Sequence, residues 1–202
     1  MTLPGEYFDD VYAGSTDPWG FTERFYEQRK YALTVAALPQ SHYRSGLEVG
    51  CSIGVLTAQL AERCDALTAL DVAAAAVAQA RGRTAAHPGV TVEQRTLPVD
   101  PLGGPYDLIV LSEVGYYFAS ADLDVLVAQL RDALEPGGTL VAVHWRHPVT
   151  DYPQTGDAVH ARLDDEDGWT ATVRHVEDDF LLTVYLRTPP EARSVAQQAG
   201  LA

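Results

Sequence analysis

The sequence has almost no lysine. Lys30 is the sole one, beside thirteen arginines, and these fourteen basic residues face 28 acidic ones for a formal net charge of −14. A chain this short of cations is poorly suited to a phosphate backbone, so no nucleic-acid partner is expected. The acidic excess serves solubility first and a cationic substrate, such as an amine, second. Cysteine is scarce too. Cys51 and Cys64 do not make a disulfide scaffold, and neither stands at metal-ligand spacing from a histidine, so no metal is expected. No apolar run reaches the roughly 18 residues that cross a bilayer. The opening MTLPGEYFDD also lacks the basic-then-apolar order of a signal peptide. These absences predict a cytoplasmic protein with no membrane partner.

What is present is a length of 202 residues with 47% apolar content, which suits one domain with a large core. The chain is organised around residues 46–57, GLEVGCSIGVLT. Leu47 and Val49 flank Glu48, Gly50 and Gly54 bracket Cys51-Ser52-Ile53, and a helix-like run follows. This reads as a buried strand ending at a glycine turn that opens a helix. Such a turn presents backbone N–H groups at a helix N-terminus and admits close approach of a nucleoside-type ligand. Glu48, inside an apolar strand, needs a hydrogen-bonding partner, either a ligand's amino group or the turn's own N–H groups.

Downstream, strand and helix alternate. Strands are predicted at 46–49, 66–70, 90–95, 106–112 and 139–144, and helices at 54–63, 73–83 and 121–134. The spacing of apolar residues predicts another helix at 22–38, before the turn. Residues 148–168 are polar and acidic, and runs at 169–176 and 180–187 read as an antiparallel hairpin at the sheet edge. Residues 189–202 form a tail. The pattern predicts an α/β fold with an open, mostly parallel sheet and helices on both faces. The edge hairpin also offers a strand for pairing with a second copy, as a homodimer.

In an open α/β sheet, ligands bind outside the carboxyl ends of the strands. Those ends carry Gly50 to Gly54, then Asp71, then Arg95, Thr96 and Leu97. The later strands carry Ser112, Glu113, Val114, Tyr116 and Tyr117, and His144, Trp145, Arg146 and His147. Asp71, 17 residues after Gly54, stands where a carboxylate accepts hydrogen bonds from the vicinal hydroxyls of a ribose. A dinucleotide turn wants G-x-G-x-x-G, and Gly50-Cys51-Ser52-Ile53-Gly54 lacks that spacing. This disfavours an NAD-dependent oxidoreductase.

The set LEVGCSIG, LDVA, YDLIVLSEVGYYF and LEPGGTLV resembles class I S-adenosylmethionine-dependent methyltransferases, which have a Rossmann-like fold. Within that class, DPWGF, EQRKY, SEVGYYF and HWRHP are similar to the nodulation N-methyltransferase (NodS-like) family. The resemblance implies that Glu48, Gly50, Cys51, Ser52 and Gly54 form the cofactor loop for S-adenosyl-L-methionine. By the same resemblance Asp71 takes the ribose, and Val72, Thr96 and Leu97 flank the adenine. Ser112, Glu113 and Val114 lie beside the methionine moiety. Trp19, Arg29 and Tyr31 belong to a cap that closes over the cofactor. The implied division is a cap at 1–40, a cofactor-binding core at 41–147, an insert and edge hairpin at 148–188, and the tail.

The implied reaction is methyl transfer to an amine or hydroxyl of a small molecule, an amino sugar being one acceptor of that kind. An amine must arrive neutral and a hydroxyl must lose its proton, so His144, His147 and Glu113 are the candidate catalytic groups. His144 alternatively closes its strand as a hydrogen-bonded residue. Arg146 either anchors an anionic acceptor or pairs with an acidic loop residue. His160 would contribute from a lid. The competing class is a non-catalytic S-adenosylmethionine-binding regulatory protein.

Overall fold

The sheet grows outward in two directions from the strand that precedes the glycine turn. In chain order the strands are β1 (Tyr43–Val49), β2 (Cys64–Asp71), β3 (Val90–Gln94), β4 (Tyr106–Ser112), β5 (Leu134–Trp145), β6 (Trp169–Val176) and β7 (Phe180–Arg187). They pair in the order β3-β2-β1-β4-β5-β7-β6. The first five run parallel, and β7 joins β5 and β6 antiparallel. This is the Rossmann-like sheet with a C-terminal hairpin expected from the sequence. The computed structural model describes all of residues 1–202.

The inner strands are apolar because both of their faces are covered. In β4, Leu108, Ile109, Val110 and Leu111 are all fully buried. The helices are α1 (Gly5–Gly14), α2 (Phe25–Ala37), α3 (Val55–Ala61), α4 (Ala74–Arg83), α5 (Ser120–Ala133), α6 (Gly156–Asp164) and the short α7 (Val195–Gln198). No helix is long and apolar enough to cross a membrane. The chain leaves β1 toward β2 and β3, then returns to the other side of β1 as β4 and β5. Strand order therefore reverses between β1 and β4, which is where an α/β sheet opens a crevice for ligands.

Three elements differ most from the sequence expectation. α1 was not anticipated, since only Phe8 and Tyr12, one turn apart, are buried in a helix bounded by glycines. α6 lies inside the segment expected to be a polar insert. Its signal was present: Thr155 caps it, the Thr155 side chain accepting from Ala158 N–H at 3.2 Å, and Asp157 occupies the first turn. β5 begins at Leu134 rather than 139. Pro136-Gly137-Gly138 is an irregularity inside the strand, between the Tyr106–Leu134 and Leu108–Thr139 pairings, and not a turn before it.

Candidate functional site

The crevice holds a cavity of about 800 Å³ bounded by the carboxyl ends of β1, β2 and β4, with α1 and α2 over it. The glycine turn forms its floor. Gly50 (φ +76°) and Gly54 (φ +80°) both adopt left-handed backbone. A Cβ on Gly50 would come within 2.9 Å of Val114 Cβ, and one on Gly54 within 2.9 Å of Ala80 Cα. Both positions therefore require glycine for conformation and for space.

Four of the turn's five N–H groups are already engaged. Gly50 N–H and Cys51 N–H both donate to Leu70 O, at 2.9 and 2.8 Å, and Gly54 N–H donates to Cys51 O at 3.0 Å. Ser52 N–H donates to Asp71 Oδ2 at 2.7 Å, and Ala73 N–H donates to Asp71 Oδ1 at 2.9 Å. Asp71 thus clamps the turn to the end of β2, and it lines the cavity with acceptor capacity left on its carboxylate. Burial raises its carboxyl above the ordinary value, and these N–H donors pull it back. These bonds narrow the expectation of N–H groups free for a ligand: within Gly50–Gly54 only Ile53 N–H keeps no protein partner.

Glu48 is buried under the turn with Oε2 unpartnered, and Ser112 Oγ is likewise buried and unpartnered; both residues line the cavity. Burial pushes the Glu48 carboxyl up to about 8, against a smaller lowering by the Thr57 hydroxyl. The group is therefore mainly protonated at neutral pH. Its folded value lies above its unfolded one, so its contribution to stability is present at low pH and is lost as pH rises from about 4.5 to about 8. Glu48→Gln should accordingly gain stability relative to wild type as pH rises, by about 2 kcal/mol more at pH 8.5 than at pH 6. Denaturant titrations at the two pH values check this, and an equal offset at both would refute a buried neutral carboxyl.

Of the residues assigned to the cofactor, Trp19, Tyr31, Val72, Thr96, Leu97 and Val114 line the cavity. Cys51, Ser52 and Glu113 line it as well. Thr96 N–H is taken by Asp100 Oδ2 at 2.7 Å. Gly54 stands behind the turn, against α4, and does not line the cavity. Arg29 does not line it either. It points outward and forks onto Glu177 at 2.8 and 2.6 Å. Successive helical residues diverge by about 100°, so it is the next residue, Lys30, that faces inward.

The two histidines assigned to proton transfer are also corrected. His144 is fully buried and reaches no cavity surface. Gly115 N–H donates to its Nε2 at 3.0 Å, so Nδ1 carries the proton and donates to His160 Nε2 at 3.2 Å. His160 Nδ1 in turn donates to Thr183 Oγ1 at 3.1 Å. Both ring nitrogens of His144 are therefore used in holding structure. His147 is half-exposed outside the cavity, paired with Asp179 at 2.8 Å. Arg146 pairs with Asp157 at 2.9 Å, the acidic-loop alternative.

Glu113 remains in the cavity. It has left-handed backbone (φ +57°), rare for a non-glycine residue and kept only where its surroundings over-determine it. Its Oε2 accepts from Tyr116 OH at 2.5 Å and from Trp145 N–H at 3.0 Å. Sequence reasoning missed its partner Lys30 and the Glu27 that pairs with Lys30 in turn, although the i, i+3 spacing of those two on α2 was readable. It also missed Tyr12, whose hydroxyl meets Ser52 Oγ at 2.5 Å and ties α1 to the turn.

This sheet has the Rossmann-like fold of class I S-adenosylmethionine-dependent methyltransferases. The sequence profile of the Nodulation protein S (NodS) family matches residues 11–154, and the chain belongs to that family. It is 35% identical over 130 residues to Nodulation protein S of Rhizobium tropici, covering 62% of this chain and 53% of that one. The chain spans about half the length of the curated nodulation proteins it matches. It is 44% identical to a Pseudomonas syringae protein provisionally assigned as a methyltransferase, covering 81% of this chain and all of that one with a TM-score of 0.73. It shares its fold with N-methyltransferase NodS of Bradyrhizobium japonicum WM9, solved in complex with S-adenosyl-L-homocysteine (TM-score 0.82, 24% identity, 93% and 99% coverage).

Proposed function

We propose that the chain is an S-adenosyl-L-methionine-dependent methyltransferase acting on an amine or hydroxyl of a small molecule, with an amino sugar or related amine the favoured acceptor. The carrying observation is the continuity of the cavity. It runs from Asp71, past the glycine turn with the orphaned Glu48 Oε2 and Ser112 Oγ, to Glu113. The residues fit this cofactor. Asp71 has lone pairs left for two ribose hydroxyls, Glu48 and Ser112 are buried polar atoms without partners, and a side chain on Gly50 would fill the cradle. Val72, Thr96 and Leu97 offer the walls for an adenine. Trp19 and Tyr31 close the roof. When bound, the cofactor supplies an electrophilic methyl group on a sulfonium.

The protein's part is to orient the acceptor, exclude water and set its protonation state. The roof of α1 and α2 supplies the exclusion, and Glu113 is the charged group at the acceptor end. The two cysteines are free and buried, which suits the reducing cytoplasm.

Calorimetry with S-adenosylmethionine, S-adenosylhomocysteine and NAD tests the reading. Binding of the two sulfur compounds and not of NAD is expected, followed by a one-methyl mass increase in at least one member of a panel of amino sugars and phenols. Failure of both sulfur compounds to bind overturns it.

A further inference from the structure

The sole lysine of the chain is buried in the cavity wall between two carboxylates. Lys30, on α2, is 2% exposed. Its Nζ lies 2.9 Å from Glu27 Oε2 and 2.7 Å from Glu113 Oε1. It also stands 4.9 Å from the centre of the Tyr26 ring. Lys30 is the one partner of Glu27 Oε2 and Glu113 Oε1, and the Tyr26 hydroxyl, buried as well, has no hydrogen-bond partner. All four residues line the cavity. One ammonium therefore serves two desolvated carboxylates, and a negative charge is left over in a site where an unpaired charge is costly.

Other charged or titratable groups do not cancel that surplus. Arg24 reaches the same cavity and acts on Glu27 as the least of the influences on its carboxyl, being exposed where water screens it. Tyr31 and Tyr116, which face the carboxylates, have pKa values raised well above the usual phenol range by burial and are neutral, as is the buried His144 behind Lys30. Glu113 is pinned by Tyr116 and Trp145 through Oε2, so only its Oε1 side is available. Glu27 has no such anchor.

We propose that Glu27, Lys30 and Glu113 bind the acceptor as a protonated amine, and that Glu27 then takes one proton from it. This rests on the methyltransferase reading above and deepens it by assigning the groups that hold the acceptor amine and take its proton. The charges balance at each stage. Two carboxylates and Lys30 leave one negative charge, which the incoming ammonium cancels. One N–H bond of R–NH₃⁺ then breaks and its electron pair stays on nitrogen, while the proton forms an O–H bond on Glu27 Oε2. The products are R–NH₂, a neutral Glu27, and the intact Lys30–Glu113 pair, still with zero net charge. Burial raises the Glu27 carboxyl above its ordinary value, which favours the transfer. A hydroxyl acceptor would instead bring no charge and would have to develop an alkoxide beside two carboxylates.

The test uses the whole chain saturated with S-adenosylhomocysteine, and matched pairs that differ only in the reacting group: glucosamine with glucose, and cyclohexylamine with cyclohexanol. The amine of at least one pair should bind about tenfold tighter or more, as expected for a charge-assisted contact. Glu27→Gln should remove that preference, and Glu27→Asp should retain part of it. Carbon NMR of labelled glutamate should show the Glu27 carboxyl moving to its protonated position as amine is added. If S-adenosylhomocysteine does not bind, the cofactor reading fails. If it binds but each pair binds equally, or neither member binds, the ammonium site is overturned. A folded Glu27→Gln variant that keeps the preference overturns it too, and a Glu27 that stays ionised with amine bound overturns the proton step.

Discussion

Asp71→Ala is expected to lower the affinity for S-adenosylhomocysteine about 100-fold, close to 3 kcal/mol. Hydrogen bonds to a charged group contribute roughly 1.5–3 kcal/mol each. Asp71 makes two of them inside the protein, to Ser52 N–H and Ala73 N–H, before any ligand is considered. The alanine variant therefore loses the proposed ribose acceptor and also releases the turn from the end of β2. The two losses are separable with Asp71→Asn. An amide has one carbonyl oxygen, so one of the two backbone N–H groups would face an NH₂. Ribose hydroxyls can accept as well as donate and would tolerate that amide. If the clamp dominates, Asn and Ala variants weaken binding to a similar extent. If the ligand contact dominates, Asn retains most of the affinity. Calorimetry on the three proteins decides, and an unchanged affinity in the alanine variant removes Asp71 from the site.

Asp71 also marks how far sequence alone reaches. Its place at the end of a strand, in register with a glycine turn, follows from the alternation of apolar strands and helices. That alternation depends on short-range periodicity and the chain displays it openly. The clamp on Ser52 N–H does not, because it depends on how a turn of left-handed residues folds back against the neighbouring strand. The same distinction separates Arg29 from Lys30. The segment EQRKY places both on one helix, but which of them enters the cavity depends on helix rotation against the sheet. α2 has buried Glu27, Lys30, Tyr31 and Thr34, so its inward stripe is largely polar and hydrophobic periodicity misreads it. α1 and α6 escaped for a related reason. Each is short and buries few apolar side chains, so the tertiary contacts that stabilise it leave a faint periodic trace. His144 misleads in the opposite way. A histidine at a strand's carboxyl end is at the rim of the sheet in sequence terms. Here α6 covers that end, and Val159 packs with His144 against Gly115.

That covered position makes His144 a matter of stability. His144→Ala should lower the unfolding free energy by about 4 kcal/mol. It strands Gly115 N–H and His160 Nε2, each costing about 1–3 kcal/mol when buried and unpaired, and leaves a cavity besides. Acid should act on the same chain of imidazoles. Burial holds His144 well below its ordinary value and lowers His160 to about 4, with Asp164 and Asp157 opposing the shift at His160 and Arg174 aiding it. Lys30 and His160 add to the lowering at His144. Both rings are neutral when folded and take up protons more readily when unfolded. Their contribution is therefore complete above about pH 6.5 and is lost as pH falls toward 4, by up to about 1.4 kcal/mol per pH unit for each ring. Glu48 titrates with the opposite sign over part of this range, so the quantity to measure is the difference between wild type and His160→Gln. By urea titration, the destabilisation caused by that substitution at pH 7.5 should shrink by about 2 kcal/mol at pH 5. A constant difference would mean that the imidazole titrates alike in both states. Because both nitrogens of His144 are occupied within the fold, substitutions there should lower turnover only in proportion to the folded fraction. A loss of rate in a fully folded variant would return His144 to the chemistry.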